Sequence, residues 1–230
     1  MVSTHLNIDG REIPIIYPIS SYLFKDVKSW ADKVYLPGFF YLDTENEVLE
    51  EEILKFINLG KEPIVISFSS MPLKSPDLFK EKLVKALKET DNRAIIIAGN
   101  SGIAVEGEKE LLTIKAAPHT LLFPLAKGII HHGGAGTMAA ALKSGKPQII
   151  IPFAVDQPFW ANRLYKLGYA LEPIKESEVT TEELISRFKE LEKVELKQKA
   201  QNIKSALSKE NGTENAIKYI ENYCDRYYNK

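Results

Sequence analysis

The chain has 230 residues, 30 basic against 31 acidic and 44% hydrophobic, enough for one good-sized domain or one and a half. The even charge gives no reason to expect nucleic acid or an anionic membrane surface as a partner. A lone cysteine, Cys224, excludes an internal disulfide, and the polar start with no apolar run near ~18 residues reads as a cytoplasmic protein without signal peptide or transmembrane segment.

In chain order, the sequence predicts short strands over Ile13–Ile19 and Lys33–Phe40 around a helical or irregular piece at Ser21–Ala31. These do not make a domain. An acidic, helix-period segment, Asp43–Leu59, follows and stops at Gly60 as a connector. From there the alternation is regular: strand Ile64–Ser69, helix Pro76–Glu89, and strands Arg93–Gly99 and Leu111–Ala117. Gly128–His132 reads as a strand that breaks on Gly133, Gly134 and Gly136 into an alanine-rich helix, Ala135–Ser144, ended by Gly145 and Pro147. Strand Gln148–Phe153, helix Phe159–Leu167, strand Ala170–Ile174 and a mostly helical stretch from Thr181 complete the chain. Continuous Ile/Val strands separated by helices predict an α/β fold: a doubly wound parallel sheet with ligands at the strands' carboxyl ends.

Small polar groups stand at four of those ends: Ser69-Ser70, Pro118-His119, His132 to Thr137, and Asp156-Gln157. Strand ends of neighbouring parallel strands meet in one crevice, and a glycine-rich turn into a helix start favours an anion. The predicted site is for phosphate, with acid and amide groups beside it. Gly134-Ala135-Gly136-Thr137-Met138-Ala139 also satisfies the dinucleotide pattern G-x-G-x-x-G/A, with Asp156 near the place of a ribose-binding acid. That pattern normally opens its domain, whereas several strand-helix alternations precede it here.

His131-His132-Gly133-Gly134-Ala135-Gly136-Thr137, followed by Asp156-Gln157-Pro158, resembles the nucleotide-sugar signature of the UDP-glycosyltransferase superfamily, closest to its sterol-glucosyltransferase-like and bacterial antibiotic-glycosyltransferase branches. Ile66 to Pro72, Pro118 to Pro124, Trp30-Ala31-Asp32 with Gly38-Phe39, and Glu210 to Ala216 extend the resemblance over roughly residues 12 to 222. It implies the Rossmann-like C-terminal domain of a GT-B enzyme over 61–230, preceded by a remnant of the acceptor domain and linker over 1–60. His132, Gly133, Gly134, Gly136, Thr137 and Ser70 would bind the donor diphosphate, Ala116, Pro118 and His119 the nucleoside, and Asp156 and Gln157 the sugar hydroxyls. No cofactor is implied, since the UDP-sugar is a substrate, and no Asp-x-Asp motif anchors a cation.

The sequence departs from plant relatives at Ala116, where they place tryptophan, at His119, where they have glutamine, and at Ala140, where they have glutamate. These departures leave base and sugar open, with UDP-glucose as the default. The family's catalytic base sits on its acceptor domain, which this sequence lacks, so no catalytic residue is assigned and His131 is read as structural. The expectation is a donor-binding half that works in inverting, metal-independent transfer with an acceptor-domain protein, or as a homo-oligomer, through residues 1–45. A non-catalytic nucleotide-sugar module or truncated relic, and a dinucleotide-binding dehydrogenase domain, are the rival readings.

Overall fold

The computed structural model describes residues 7–8, 11–25, 34–41, 47–68, 72–103, 105 and 107–228. By contacts the chain forms two units, one from Met1–Thr44 with Ala206–Lys230 and one from Glu45–Ser205. The boundary expected at residue 60 differs from this division, because the first unit stops at residue 44 and takes in the chain's last 25 residues.

In the first unit, β1 (Asn7–Ile8) pairs antiparallel with β2 (Arg11–Glu12), and β3 (Ile15–Ile16) pairs parallel with β4 (Val34–Tyr35). Both longer expected strands shrink to two-residue ladders. Of the piece expected at Ser21–Ala31, Ser21–Phe24 is a 3-10 turn, and Trp30-Ala31-Asp32 lies outside the described residues. The last helix belongs to this unit, for reasons visible in its contacts. Tyr219 stacks on Tyr35 with centroids 4.2 Å apart, the Asn215 amide donates to the Pro37 carbonyl (2.9 Å), and Ser20 Oγ donates to Glu210 Oε1 (2.9 Å). A Cβ on Gly212 would lie 2.3 Å from the Phe39 carbonyl oxygen, so only glycine permits this approach. Burial raises the Glu210 carboxyl above its ordinary pKa. Phe39 is buried, while Ile15, Tyr17 and Phe40 are exposed.

The second unit is built on five parallel strands: β5 (Ile64–Ser67), β6 (Ala94–Ile97), β7 (Leu111–Ile114), β8 (Gly128–His131) and β9 (Gln148–Ile150), in the order β7-β6-β5-β8-β9. Successive side chains alternate faces, and both faces are covered. Ile64, Ile66, Ile96, Ile130 and Ile149 pack with Phe79, Leu83 and Leu87 of α2 (Pro76–Glu89) and Leu184 and Phe188 of α6 (Thr181–Glu190). Val65, Ile95, Ile97 and Ile129 pack with Ile53 of α1 (Glu51–Asn58), Leu122 of α3 (His119–Leu122), and Ala140 and Ala141 of α4 (Ala135–Ser144). Burying each such Ile or Leu contributes about 1.5–3 kcal/mol. The fold is therefore the doubly wound sheet that the sequence predicts, and its strand order reverses between β5 and β8.

Several elements differ in detail. The helix expected from Asp43 begins only at Glu51, where Glu51 and Glu52 favour the positive helix start. The expected strand Ala170–Ile174 is not one. Leu171 N donates to the Gln148 carbonyl (2.9 Å) and Ile174 N to that of Ile150 (3.1 Å), but Pro173 has no N–H and breaks the ladder. Helix α3 is an addition to the expected elements, because the run Leu121-Leu122-Phe123 is too short to show a period; Pro118 starts it. Helix α5 (Gln157–Leu167) starts two residues early, with Pro158 in its first turn, and α7 (Val194–Leu207) and α8 (Gly212–Tyr228) complete the helical end. Among the described residues no helix is long and apolar enough to cross a membrane.

Candidate functional site

Parallel register sets Ser67, the last residue of β5, beside His131, the last of β8. The crevice beyond them lies at the point where the strand order reverses, which is where open α/β sheets take ligands. His131, the last residue of β8, and His132, just beyond it, have different surroundings. His131 is fully buried: its Nε2 donates to Gln148 Oε1 (3.0 Å), and its Nδ1 accepts from the Gly133 amide (3.1 Å). Burial holds it neutral with a pKa of about 3, against the smaller opposing effect of the Gln148 bond. It locks the turn, as expected of a structural residue.

His132 is only 6% exposed, yet among the described residues its Nδ1 has no hydrogen-bond partner. An unpaired buried imidazole nitrogen is costly unless a ligand meets it. Its ring lies parallel to Phe153, centroids 6.4 Å apart, and an added Cβ on Gly134 would meet its Nε2 at 2.4 Å. Burial lowers its pKa; the Ser67 backbone and the Asp156 carboxylate pull the other way.

The turn then delivers the start of α4, which no side chain caps among the described residues. The amides of its first turn have no partner within the helix and carry the positive end of its dipole. Gly133 differs from the expectation that every glycine here supplies an amide, because its N–H is committed to His131. Its contribution is the turn itself: φ is 91°, and a Cβ would lie 3.1 Å from Ile150 Cγ2. Gly136 faces open space, since a Cβ added to it would have nothing within 4 Å, and Thr137 is buried in the same first turn. Ser70 lies outside the described residues.

On the side of β7, Ala116 is exposed and Pro118 half-buried at the start of α3. His119 stacks on Phe123 at 4.4 Å, and its Nε2 lies 3.1 Å from Ser67 Oγ. Burial, and then the neighbouring His132, lower its pKa. Ser67 is absent from the residues expected at the site, although a lone hydroxyl within Ile-Val-Ile-Ser-Phe is a signal for it.

On the far side, Asp156 and Gln157 stand at the entry to α5. Asp156 is exposed and its Oδ2 accepts from Trp160 Nε1 (2.8 Å), an i, i+4 pairing that the spacing of the two residues allows. Gln157 Oε1 accepts from the amides of Phe153 (2.8 Å) and Ala154 (3.2 Å), which leaves its amide nitrogen as the group to meet a ligand. A separate concavity of about 240 Å³ lies between the start of α2 and residues 176–179. There the Val179 carbonyl accepts from the Lys82 amine, and the Glu176 carboxylate from the Lys74 backbone amide. No group of three or more His, Cys, Asp or Glu among the described residues is placed to hold a metal ion.

The family described as Erythromycin biosynthesis protein CIII-like, C-terminal domain, matches residues 81–221. The chain belongs to this family. Its members include the C-terminal domains of glycosyltransferases, and the match runs from within α2 to within α8, taking in the glycine turn. A sterol 3-beta-glucosyltransferase of Arabidopsis thaliana is 34% identical over 212 residues, covering 91% of this chain and 33% of that protein. The O-mycaminosyltylonolide 6-deoxyallosyltransferase of Streptomyces fradiae is 27% identical over 218 residues, covering 94% of this chain and 51% of that protein. The chain thus spans about a third to a half of these relatives' length. In fold it matches the glycotransferase of kitacinnamycin with a TM-score of 0.76 at 20% identity, over 92% of this chain and 55% of that one. The EryCIII-like domain here therefore has the α/β fold of GT-B glycosyltransferase C-terminal domains.

Proposed function

We propose that this EryCIII-like domain is the donor-binding half of a glycosyltransferase, taking a UDP-sugar for inverting, metal-independent hexosyl transfer to an acceptor hydroxyl. The observation that carries the reading is His132, whose buried Nδ1 has no hydrogen-bond partner among the described residues, beside the start of α4, where none of those residues supplies a side-chain cap. A departing nucleoside diphosphate gains negative charge, and preorganised amides with an imidazole are suited to meet it. His132, Gly134, Gly136, Thr137 and Ser70 would serve the diphosphate, with Gly133 shaping their turn. Ala116, Pro118 and His119 would line the nucleoside, and Asp156 with the Gln157 amide nitrogen would hold sugar hydroxyls. UDP-glucose is the default donor; the names of the relatives, a glucosyltransferase and a 6-deoxyallosyltransferase, leave the sugar open.

Transfer also needs a base within reach of the acceptor hydroxyl. His119 and His132 belong to the donor crevice, His131 is locked beneath its turn and His5 lies outside the described residues, so on this reading the acceptor half and its base would come from further polypeptide, joined or separate. The two-stranded parallel sheet β3–β4 and the exposed Ile15, Tyr17 and Phe40 support residues 1–45 as the contact, since paired parallel strands rarely stand alone and apolar surface promotes association.

Calorimetry tests the donor reading. UDP should bind without added metal, and His132→Ala should weaken it by about 1.5–3 kcal/mol, as for a hydrogen bond to a charged group. Tighter binding of NAD than of UDP would refute it.

A further inference from the structure

The turn between β9 and α5 holds a backbone conformation that its own residue disfavours. Val155 has φ 59°, in the left-handed region where a β-branched side chain crowds the following carbonyl. Among the described residues the only other non-glycine with positive φ is Asp91, a residue type that tolerates this region. Packing does not reward the valine, because the residue is 92% exposed. Gln157 is what holds the turn. Its Oε1 takes the amides of residues 153 and 154, and its own N–H donates to the Ala154 carbonyl (3.2 Å). Backbone kept in such a region by its surroundings is a feature of ligand sites.

Resting on the donor reading above, we propose that Val155 is a specificity-determining residue of the sugar subsite, its isopropyl group forming an apolar edge beside Asp156 and Gln157 that favours a hexose lacking a hydroxyl at the facing position. Asp156 offers an acceptor and the Gln157 amide nitrogen a donor, so hydroxyls on their side have partners. Val155 offers neither. A hydroxyl pressed against it loses water and gains nothing in return, whereas a deoxy carbon loses nothing. The hydrogen bonds that force the left-handed backbone also fix the direction of the Cα–Cβ bond, so the edge is in place before the sugar arrives. Glycine would make the same turn without strain, and the presence of valine is therefore a property of the side chain and not of the turn.

The test is calorimetry of UDP, UDP-glucose and the deoxy analogues of UDP-glucose at each hydroxyl-bearing position, on the wild type, Val155→Gly and Val155→Ser. At least one deoxy analogue should bind the wild type as tightly as UDP-glucose or more so. Both variants should shift that ratio toward UDP-glucose by about fivefold or more, the worth of roughly one hydrogen bond, with free UDP changed by less than about twofold. UDP binding with sugar ratios that stay within about twofold of wild type in both variants would overturn the proposal and leave the donor reading standing. Failure of the wild type to bind UDP at all would defeat the donor reading and this inference together. Val155→Gly keeps the backbone conformation open to it, and a melting temperature no lower than that of the wild type separates a lost edge from a lost fold.

Discussion

After β8 the chain turns on Gly133, whose φ of 91° costs a glycine little, and the turn is bound from within by the His131 imidazole. After β9 it turns on Val155 at φ 59°, and the turn is bound from outside by a side chain of the next helix, Gln157. Both deliver polar groups to the mouth of one crevice. The first is relaxed and buried, as suits a cradle for the part that every nucleotide-sugar shares, its diphosphate. The second is strained and exposed, and its one committed side chain is also the proposed sugar ligand. Strain tolerated on one side only marks that side as the one where the side chain matters more than the bend.

Substituting the relaxed turn should do the greatest damage. Gly133→Ala would force a side chain into the left-handed region, at about 1–2 kcal/mol, and against Ile150 Cγ2 at 3.1 Å. With overpacking added, a loss of about 2–4 kcal/mol in urea unfolding is expected. A near-neutral result would mean that the first turn is no more demanding than the second.

The next effect, smaller for each pH unit crossed, comes from pH and acts through the imidazole that binds that turn. His131 titrates at 6.5 when unfolded and at about 3 when folded, so between these values the unfolded chain holds more protons. Its contribution to stability is complete above pH 6.5 and is lost as pH falls toward 3, by at most about 1.4 kcal/mol per unit. His119 and His132, also lowered by burial, act with the same sign. Urea midpoints measured downward from pH 7 should decline over this window, and a flat profile would show that His131 is not held neutral.

The smallest effect sharpens the contrast from the other side. Val155→Gly relieves about 1–2 kcal/mol of strain and gives back about 0.5–1 kcal/mol of unfolded-state entropy, for a net gain of roughly 0.5–1 kcal/mol. Thermal unfolding would read it as a slight rise, the opposite sign to the substitution at Gly133. A clear fall would show that the valine is packed after all.

Much of this is legible in the residues themselves. Ile-Val-Ile and Ala-Ile-Ile-Ile announce strands covered on both faces, and glycine spacing with two histidines locates the first turn. The division of labour within that turn is not legible, because whether the Gly133 amide faces a ligand or His131 depends on a hydrogen bond that spacing cannot express. Pro173 warns against a regular strand at 170–174, but the apolar residues around it give the stronger, misleading signal. The strain at Val155 is invisible for a similar reason: nothing in Ala-Val-Asp-Gln says that a glutamine two residues on will set valine's φ. Sequence pattern succeeds where local preference fixes the conformation and fails where another residue's side chain fixes it.

The first unit's contacts bear on the order in which the protein takes shape. Residues 45–205 are continuous in sequence and can close as soon as they exist. The pairs that hold β4 and the residues around it, Pro37 with Asn215 and Ser20 with Glu210, lie 178 and 190 positions apart. Contacts of such range carry a large loop-closure cost and form late. During synthesis, β3 and β4 therefore wait without Tyr219, Asn215 and Glu210 until the end of the chain emerges from the ribosome, and that interval is when a nascent chain of this kind is most exposed to misassembly.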